Sequence, residues 1–280
     1  MRFGPTGGQA MTTGQDVNAR IREMWSAVDY NPIATRETLV SEMLVREIGV
    51  HAGERVLDVA AGTGNTALAA ARRGALVTAS DLVPANLARA AGRAEVEGLE
   101  MNFEVGDLSD LPFEDGSFDV VLSTFGAMYG PDHQRTADEL LRVCRAGGRL
   151  GLVSWTPDGL AGQIQASNAA NLPLPPAPVG PPPSRWGTEQ HCRGLFGARV
   201  VTLTATVRSH EFCAPSPRAQ AEMFRDHLPP FNAIYQTLGQ DDRRMVLERL
   251  VGLFEKFNVA TDGTLVGVSD YLEVIMTVAG

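Results

Sequence analysis

The stretch that most constrains the fold of this chain lies at residues 55–72 and reads RVLDVAAGTGNTALAAAR. Its apolar beginning predicts a short buried strand, and its alanine-rich end predicts a helix. Gly62 and Gly64 lie between the two, where the missing Cβ atoms permit positive φ angles and a close approach of a ligand to the backbone. A strand, a glycine turn and a helix in this order form half of a nucleotide-type binding site.

The residues after this stretch continue to alternate between strand and helix patterns. Further strands are predicted at 75–80, 102–105, 118–124, 149–155, 199–208 and 269–278, and most of the segments between them carry helical patterns. This alternation predicts an α/β fold with a doubly wound, seven-stranded and mostly parallel sheet. In such a sheet the ligand crevice lies at the carboxyl ends of the strands.

The charge and the cysteines of the chain exclude several classes of protein. A net charge of −9 argues against a dedicated nucleic-acid-binding protein. The three cysteines are scattered and form no CxxC pair, which favours a reducing compartment over a zinc site or a disulfide framework. No apolar run approaches the ~18 residues of a membrane span, and the first residues lack the apolar core of a signal peptide. We therefore expect a cytoplasmic enzyme that acts on a small molecule.

Two aspartates stand at the ends of predicted strands, where such a sheet binds its ligand. Asp81 follows the glycines by about 20 residues, the position at which nucleoside sites place an acid that accepts hydrogen bonds from a ribose diol. Asp107 follows the next strand, where a carboxylate can accept a hydrogen bond from an adenine amine. A helix cap or a solvated loop also explains each aspartate alone. The prediction therefore rests on their order along the chain.

The residues before the glycine turn carry helical patterns. We interpret residues 1–15 as a mobile tail and residues 16–50 as N-terminal helices that cover the ligand site. Trp25 and Tyr30 belong to the first of these helices. They either pack on the core as part of an amphipathic helix or roof the ligand site, and the sequence leaves both interpretations open.

Four segments resemble, in order, the signature segments of class I S-adenosylmethionine-dependent methyltransferases. They are VLDVAAGTGN at 56–65, VTASDL at 77–82, GDLSDLPFEDGSFDVVLS at 106–123 and LLRVCRAGGRLGL at 140–152. The chain is most similar to the small-molecule branch related to ubiquinone and menaquinone methyltransferases, over roughly residues 25–155. One departure is visible, because Ala60 occupies the usual position of the family's first loop glycine. Since Gly62 and Gly64 remain, we expect the cofactor site to be retained.

The resemblance implies S-adenosylmethionine as the cofactor, with no metal, and S-adenosylhomocysteine as its product. By this resemblance Asp58 and the backbone of Gly62 and Gly64 would face the methionine moiety. Asp81 would face the ribose, and Asp107 with Leu108 the adenine. The segment 123–125 would lie beside the sulfonium. The full set of expected cofactor-binding residues is Trp25, Tyr30, Asp58, Ala60, Gly62, Gly64, Asp81, Leu82, Asp107, Leu108, Ser123, Thr124 and Phe125.

The methyl acceptor is less constrained than the cofactor. An activated methyl group requires mainly an in-line nucleophile, and a general base matters only where that nucleophile carries a proton. His133 is the best-placed histidine for a catalytic role, although the first turn of a helix also explains it. Tyr129 is a candidate substrate contact, with core packing as the alternative. We expect a small aromatic or lipophilic acceptor, and favour natural-product tailoring over quinone-type C-methylation.

The second half of the chain extends the expected methyltransferase domain, which spans 51–280. Residues 172–183 are rich in proline and predict an extended connector. Residues 211–262 carry helical patterns between the last two strands and predict a helical cap over the substrate crevice. A packed helical pair that enlarges the core and a homodimer surface remain open as alternatives.

Two other functions remain open at this point. Gly62, Gly64 and Ala67 satisfy the pattern GxGxxA, which would make the protein an NAD-dependent oxidoreductase with Asp81 on the ribose. Asp107 with Leu108 at the adenine position, and the lack of a phosphate-binding arginine at the turn, argue against NAD. The other alternative is a domain that keeps the cofactor without methylating.

Overall fold

A computed structural model describes residues 14–171 and 180–280 of the chain. Residues 1–13 of the predicted tail and residues 172–179 of the predicted proline-rich connector lie outside the described residues.

Within the described residues, seven strands form one sheet in the order β3-β2-β1-β4-β5-β7-β6. Strands β1 to β5 pair in parallel, and β7 pairs antiparallel with both β5 and β6. The predicted α/β fold with a mostly parallel sheet is therefore confirmed. The strands are β1 Arg55–Val59, β2 Leu76–Asp81, β3 Met101–Val105, β4 Phe118–Thr124, β5 Cys144–Trp155, β6 Val200–Ala214 and β7 Leu265–Val278.

Helices cover the sheet and follow the local signals in the sequence. Pro84 begins α5 in the first turn, where no backbone N–H is needed, and Gly98 ends it with a φ of 66°. The carboxylate of Asp132 caps α6 by accepting a hydrogen bond from the backbone N–H of Arg135 at 3.0 Å. The helices are α1 Gly14–Ser26, α2 Asn31–Ala34, α3 Thr38–Glu47, α4 Asn65–Ala71, α5 Pro84–Glu97, α6 His133–Val143, α7 Leu160–Asn171, α8 Glu189–Phe196, α9 Pro217–His227, α10 Pro229–Thr237 and α11 Gln240–Lys256. Short 3-10 turns lie at Thr35–Glu37, Ala127–Tyr129, Pro183–Gly187 and Gly197–Arg199.

The sheet brings the functional strand ends to one edge. Strand β1 lies between β2 and β4, with Asp58 opposite Ala79 on one side and Leu122 on the other. The sheet order changes direction at this point, because β4 follows β1 in space while β2 and β3 lie on the opposite side. A doubly wound sheet opens its ligand crevice at such a switch point. The site is therefore expected at the carboxyl ends of β1, β2 and β4.

The last two strands are longer than their sequence patterns predict. Strand β6 continues beyond residue 208 to Ala214, and it pairs with β7 as far as Leu265. The predicted insertion at 211–262 therefore begins inside β6 instead of after it. Polar residues from 209 onward interrupt the alternation on which the prediction depended. Ser209 and Glu211 are exposed on this edge strand, whereas His210 is buried beside Trp155 and Phe212.

The insertion contains one helix more than predicted. Helix α10 begins at Pro229 and Pro230, two residues that normally indicate the absence of a helix. Both lie in its first turn, where backbone N–H groups have no partner in the helix. Helices α9 and α10 pack against α2 and α1, respectively. The inserted helices therefore support the N-terminal segment.

Side-chain hydrogen bonds also join helix α9 to the N-terminal segment around α2. The ring nitrogen Nδ1 of His227 lies 2.9 Å from the carbonyl oxygen of Asp29. The Arg36 guanidinium donates a hydrogen bond to Oε1 of Gln220 at 3.1 Å.

Of the helices in the described residues, none is both long and apolar enough to pass through a bilayer.

Candidate cofactor and acceptor site

A cavity opens at the carboxyl ends of β1, β2 and β4, beneath α1. Its empty volume is about 1150 Å³, including the part that is open to solvent. Most of the residues expected from the sequence lie in its walls. They are Trp25, Tyr30, Asp58, Ala60, Gly62, Asp81, Leu82, Asp107, Leu108, Thr124, Phe125 and Tyr129.

The two glycines of the turn have different roles. Both have positive φ angles, 55° for Gly62 and 88° for Gly64. A Cβ atom on Gly62 would meet no atom within 4 Å, so the backbone faces open space there. A Cβ atom on Gly64 would lie 2.8 Å from Cβ of Ala90, so this glycine permits close packing of α5. Gly64 is not among the residues that line the cavity.

Ala60 keeps the backbone conformation of the glycine that it replaces. Its φ angle is 51°, in the left-handed region that an alanine rarely adopts. The side chain fits because the neighbouring residue is Gly126, on which a Cβ atom would lie 2.7 Å from Cβ of Ala60. The departure from the family pattern is therefore accommodated by a second glycine. The turn keeps its shape.

Asp58 is a buried anchor for the helix that follows the turn. Its carboxyl group is 1% exposed and accepts a hydrogen bond from the backbone N–H of Ala67 at 2.9 Å. Burial raises the pKa of Asp58 to about 8, and the nearby charge of Asp81 acts in the same direction. This carboxyl group joins β1 to the first turn of α4.

Asp81 connects the end of β2 to the glycine turn. One carboxylate oxygen accepts a hydrogen bond from the backbone N–H of Gly62, and the other accepts one from Val83, each at 2.8 Å. The residue is 7% exposed, and burial raises the pKa of its carboxyl group. These contacts orient the carboxylate at the cavity wall.

Asp107 lies at the far end of the same wall. Its Oδ1 accepts a hydrogen bond from the backbone N–H of Ser109 at 2.8 Å, which is an Asx-type turn. Its Oδ2 accepts a hydrogen bond from the Asn18 side chain on α1. The sequence did not indicate Asn18, because only the packed position of α1 brings it to this loop.

Aromatic rings form another part of the cavity wall. Trp25 packs edge-on against Tyr30 and Tyr129, with ring centroids 5.8 and 5.2 Å apart. Phe125 stacks on Trp155 with centroids 3.7 Å apart and nearly parallel planes. Trp25 and Tyr30 therefore contribute to the roof of the cavity, as one of the two sequence interpretations proposed.

Glu37 is a cavity residue that the sequence reasoning missed. It is 7% exposed and lies in the 3-10 turn before α3. The Tyr30 hydroxyl donates a hydrogen bond to its Oε2 at 3.0 Å. Burial raises the pKa of Glu37 to about 8. The sequence offers no signal for this position, because an acid in an amphipathic helical pattern usually faces solvent.

Two further expected residues lie outside the cavity wall. Ser123 is buried and bridges two elements, since its Oγ donates to the carbonyl oxygen of Val59 and accepts from the Ala127 N–H, each at 2.8 Å. His133 is 3% exposed on α6, with Nδ1 at 2.8 Å from Nε2 of His191. Burial lowers the pKa of His133 to about 4. The structure does not bring His133 to the cavity.

Comparisons with known proteins identify a methyltransferase domain in the chain. The family model described as a methyltransferase domain matches residues 56–148. Two proteins of Mycobacterium tuberculosis whose names state no function are similar to the chain. One is 47% identical over 65% of this chain and 66% of its own length, just under two thirds. The other is 39% identical over 81% of this chain and 83% of its own length.

Other relatives have more informative names. The demethylmenaquinone methyltransferase of Clavibacter sepedonicus is 42% identical over 62% of each chain. The solved structure of the YcgJ protein of Bacillus subtilis has the same fold, with a TM-score of 0.58 and 17% identity over 86% of this chain and 98% of that one. The fold and the site define a nucleoside-binding α/β protein of the methyltransferase type. The chain belongs to the class I S-adenosylmethionine-dependent methyltransferases and is related to the quinone methyltransferases.

The cavity fits the cofactor of this family, S-adenosylmethionine. Four acids lie in its wall, and no lysine, arginine or histidine does among the described residues. This lining suits a ligand that carries a sulfonium charge better than the negatively charged pyrophosphate of NAD. The open backbone at Gly62 leaves room for close approach of the cofactor. Within the ranges 14–171 and 180–280, no group of three or more His, Cys, Asp or Glu side chains could hold a metal ion.

Proposed function

We propose that the protein transfers a methyl group from S-adenosylmethionine to a small lipophilic acceptor, in the manner of natural-product tailoring enzymes. The observation that carries this proposal is the composition of one continuous cavity. Its wall combines the carboxyl groups of Asp81 and Asp107 with the aromatic rings of Trp25, Phe125 and Tyr129. When bound, S-adenosylmethionine supplies an activated methyl group.

In this proposal the acids of the cavity wall orient the cofactor. Asp81 accepts hydrogen bonds from the ribose hydroxyls, and its own bonds from Gly62 and Val83 keep it in place. Asp107 and Leu108 bind the adenine, while Asp58 and Gly62 lie at the methionine end. Each hydrogen bond to a charged carboxylate contributes about 1.5 to 3 kcal/mol.

The aromatic wall positions the acceptor. Trp25 and Tyr129 pack edge to face, so the ring of each fixes the other, and Gln165 donates a hydrogen bond to the Tyr129 hydroxyl at 3.2 Å. Rigid apolar walls exclude water and hold an apolar acceptor in an attacking geometry. Tyr129 is the acceptor contact in this proposal. His133 has no part in it, because it lies outside the cavity wall.

We propose an indirect role for the inserted segment 211–262. None of its residues is among the described residues that line the cavity. Helix α10 instead contacts α1, which carries Trp25. Helix α9 contacts α2, which lies directly before the 3-10 turn of Glu37. The segment thus acts as a cap by holding the N-terminal helices over the site.

A quinone-type C-methyltransferase is the second candidate. The similarity to a demethylmenaquinone methyltransferase favours it. The parallel stack of Phe125 on Trp155 also offers a flat apolar surface for a ring.

Product analysis separates the two candidates. S-adenosylhomocysteine release is measured with a panel of small phenols, aromatic amines, aliphatic amines and demethylmenaquinol analogues, and the site of methylation is read by mass spectrometry. Methylation of a phenol or an amine supports the tailoring proposal. Methylation of a ring carbon supports the quinone candidate. Binding of S-adenosylmethionine without product release from any member contradicts both and favours a domain that does not methylate.

A further inference from the structure

The charges of the cavity divide into two groups. Asp58, Asp81 and Asp107 lie along the strand ends, where the proposed function places the cofactor. Glu37 lies apart from them, with Tyr30 and Tyr129 as its neighbours on the aromatic side. No basic side chain of the described part of the chain lines the cavity. An anionic acceptor would therefore enter without a partner for its charge.

Glu37 is unusual among the acids near α3. The side chains of Glu42 and Glu47 reach the surface, where each lies within 4 Å of an arginine. Glu37 is buried instead and has no arginine partner in the described residues. Its only hydrogen bond there is from the Tyr30 hydroxyl to Oε2, which leaves Oε1 without a partner from the described residues. Burying such a carboxyl group costs free energy unless a ligand satisfies it.

The aromatic rings beside Glu37 suit a cation. Trp25, Tyr30 and Tyr129 all line the cavity, and Trp25 packs edge to face with both tyrosines. The face of an aromatic ring attracts an ammonium group, most strongly where water is excluded. Rings and a carboxyl group together favour a protonated amine over a neutral hydroxyl group.

We propose that Glu37 binds the protonated amine of the methyl acceptor, which makes the protein an amine N-methyltransferase. This inference rests on the proposed function and names the acceptor class. The ammonium group lies against Glu37 and the faces of Trp25 and Tyr129. The lipophilic remainder of the acceptor occupies the apolar wall at Phe125 and Trp155.

Glu37 also receives the proton that the reaction releases. An ammonium nitrogen has no free electron pair, so one N–H proton first passes to the Glu37 carboxylate. The new N–C bond then forms as the C–S bond of the donor breaks, and the electron pair of that bond stays on sulfur. Burial places the pKa of Glu37 near 8, where a carboxyl group can both lose and accept a proton.

The two tyrosines near Glu37 do not compete for this proton. Burial raises the pKa of Tyr30 well above its usual value and that of Tyr129 to about 12, so both stay neutral. Arg36 is adjacent in the chain, but its guanidinium is directed to Gln220 of α9. Asp58 lines the same cavity from β1, and burial raises its pKa to about 8 as well, but its carboxyl group bonds to the Ala67 N–H of α4, whereas Glu37 lies beside the aromatic rings.

The test compares three probes of similar shape and different charge. They are 2-phenylethylamine, 2-phenylethanol and phenylacetate, titrated into the full chain saturated with S-adenosylhomocysteine and followed by calorimetry at pH 7.5. We expect the amine to bind at least tenfold more tightly than the alcohol, and phenylacetate to bind most weakly. Glu37→Gln should reduce amine affinity to that of the alcohol. The exposed control Glu114→Gln should change neither the affinity for the amine nor the affinity for the alcohol.

Proton release provides a readout that a structural role would not change. The Glu37 carboxyl group must lose its proton as the ammonium binds, so amine binding should release up to one proton to the buffer. Titrations in two buffers of different ionisation enthalpy measure this number. The release should disappear in Glu37→Gln. Tyr30→Phe keeps the ring and should retain the preference for the amine, which provides a second variant.

Three results would overturn the inference. The first is equal affinity for amine and alcohol, including no detectable binding of the amine at millimolar concentration. The second is an equal loss of affinity for the amine and for the alcohol in Glu37→Gln. The third is a loss of S-adenosylhomocysteine affinity in that variant, which would place Glu37 at the methionine end. Failure of the wild-type chain to bind S-adenosylhomocysteine at all would instead contradict the proposed function.

Discussion

Replacing Glu37 with glutamine should stabilise the protein at alkaline pH in the absence of ligands. Burial raises the pKa of Glu37 from 4.5 to about 8. Over that range the folded chain keeps a proton that the unfolded chain has lost. Stability linked to this group is therefore complete below about pH 4.5 and is lost as the pH rises towards 8. Glutamine has no such proton, so the variant avoids the loss.

The structure sets the size of the effect. The pKa of Glu37 rises from 4.5 in the unfolded chain to about 8 in the folded chain. At about 1.4 kcal/mol for each tenfold change in proton affinity, this difference removes at most about 5 kcal/mol from the free energy of unfolding at high pH. Local relaxation and water entry reduce such penalties, so we expect Glu37→Gln to gain about 1 to 3 kcal/mol relative to wild type between pH 5 and pH 8.5. Asp58 and Asp81 also have raised pKa values, but they titrate in both proteins and cancel in the difference.

Urea unfolding followed by circular dichroism measures this difference. Wild type and Glu37→Gln are compared at several pH values from 5 to 8.5, with the exposed Glu114→Gln as the control. The advantage of Glu37→Gln should grow steadily with pH, while the control stays parallel to wild type. A constant difference within about 0.5 kcal/mol across the range would refute the reasoning, because it would mean that Glu37 is ionised in the folded chain.

Three further predictions concern the turn, the strand ends and the excluded histidine. Asp81→Ala and Asp107→Ala should each weaken S-adenosylmethionine binding by about 1.5 to 3 kcal/mol in calorimetry. Unchanged affinity in both would remove the ribose and adenine assignments. Gly126→Ala should destabilise the fold by about 1 to 3 kcal/mol, because its Cβ would lie 2.7 Å from Cβ of Ala60. Adding Ala60→Gly should restore only part of that stability, because the backbone carbonyl oxygen of Ala60 also lies 2.7 Å from the new Cβ, and a double variant as unstable as the single one would contradict the contact between the two Cβ atoms. His133→Asn should lower the melting temperature while S-adenosylmethionine affinity stays within about twofold, and a tenfold loss of affinity would return His133 to the site.

The parts of the fold that the sequence predicts are those determined by local patterns. Short apolar runs, glycine turns and alanine-rich helices fix the alternation of strand and helix, which in turn fixes a parallel sheet. Asp81 and Asp107 were predictable because Asp81 ends β2 and Asp107 lies two residues after the end of β3. Their position at the cavity can therefore be predicted without information about contacts between distant segments.

The parts that escaped prediction depend on packing between distant segments. Glu37 faces the cavity because of how α1 to α3 sit on the sheet, and its own helical pattern carries no trace of this. His133 contacts His191, which is 58 residues away in the chain. Its burial away from the cavity therefore could not be predicted from the local sequence. Helix α10 was missed because Pro229 and Pro230 usually end helices instead of beginning them.

Calorimetric titration of the full chain with S-adenosylmethionine and, separately, with NAD tests the central claim most directly. The account predicts saturable binding of S-adenosylmethionine, weakened in Asp81→Ala, and no binding of NAD, since the acids of the described cavity wall would repel a negatively charged pyrophosphate. Tight binding of NAD with no binding of S-adenosylmethionine would contradict the assignment of this cavity to a methyl donor.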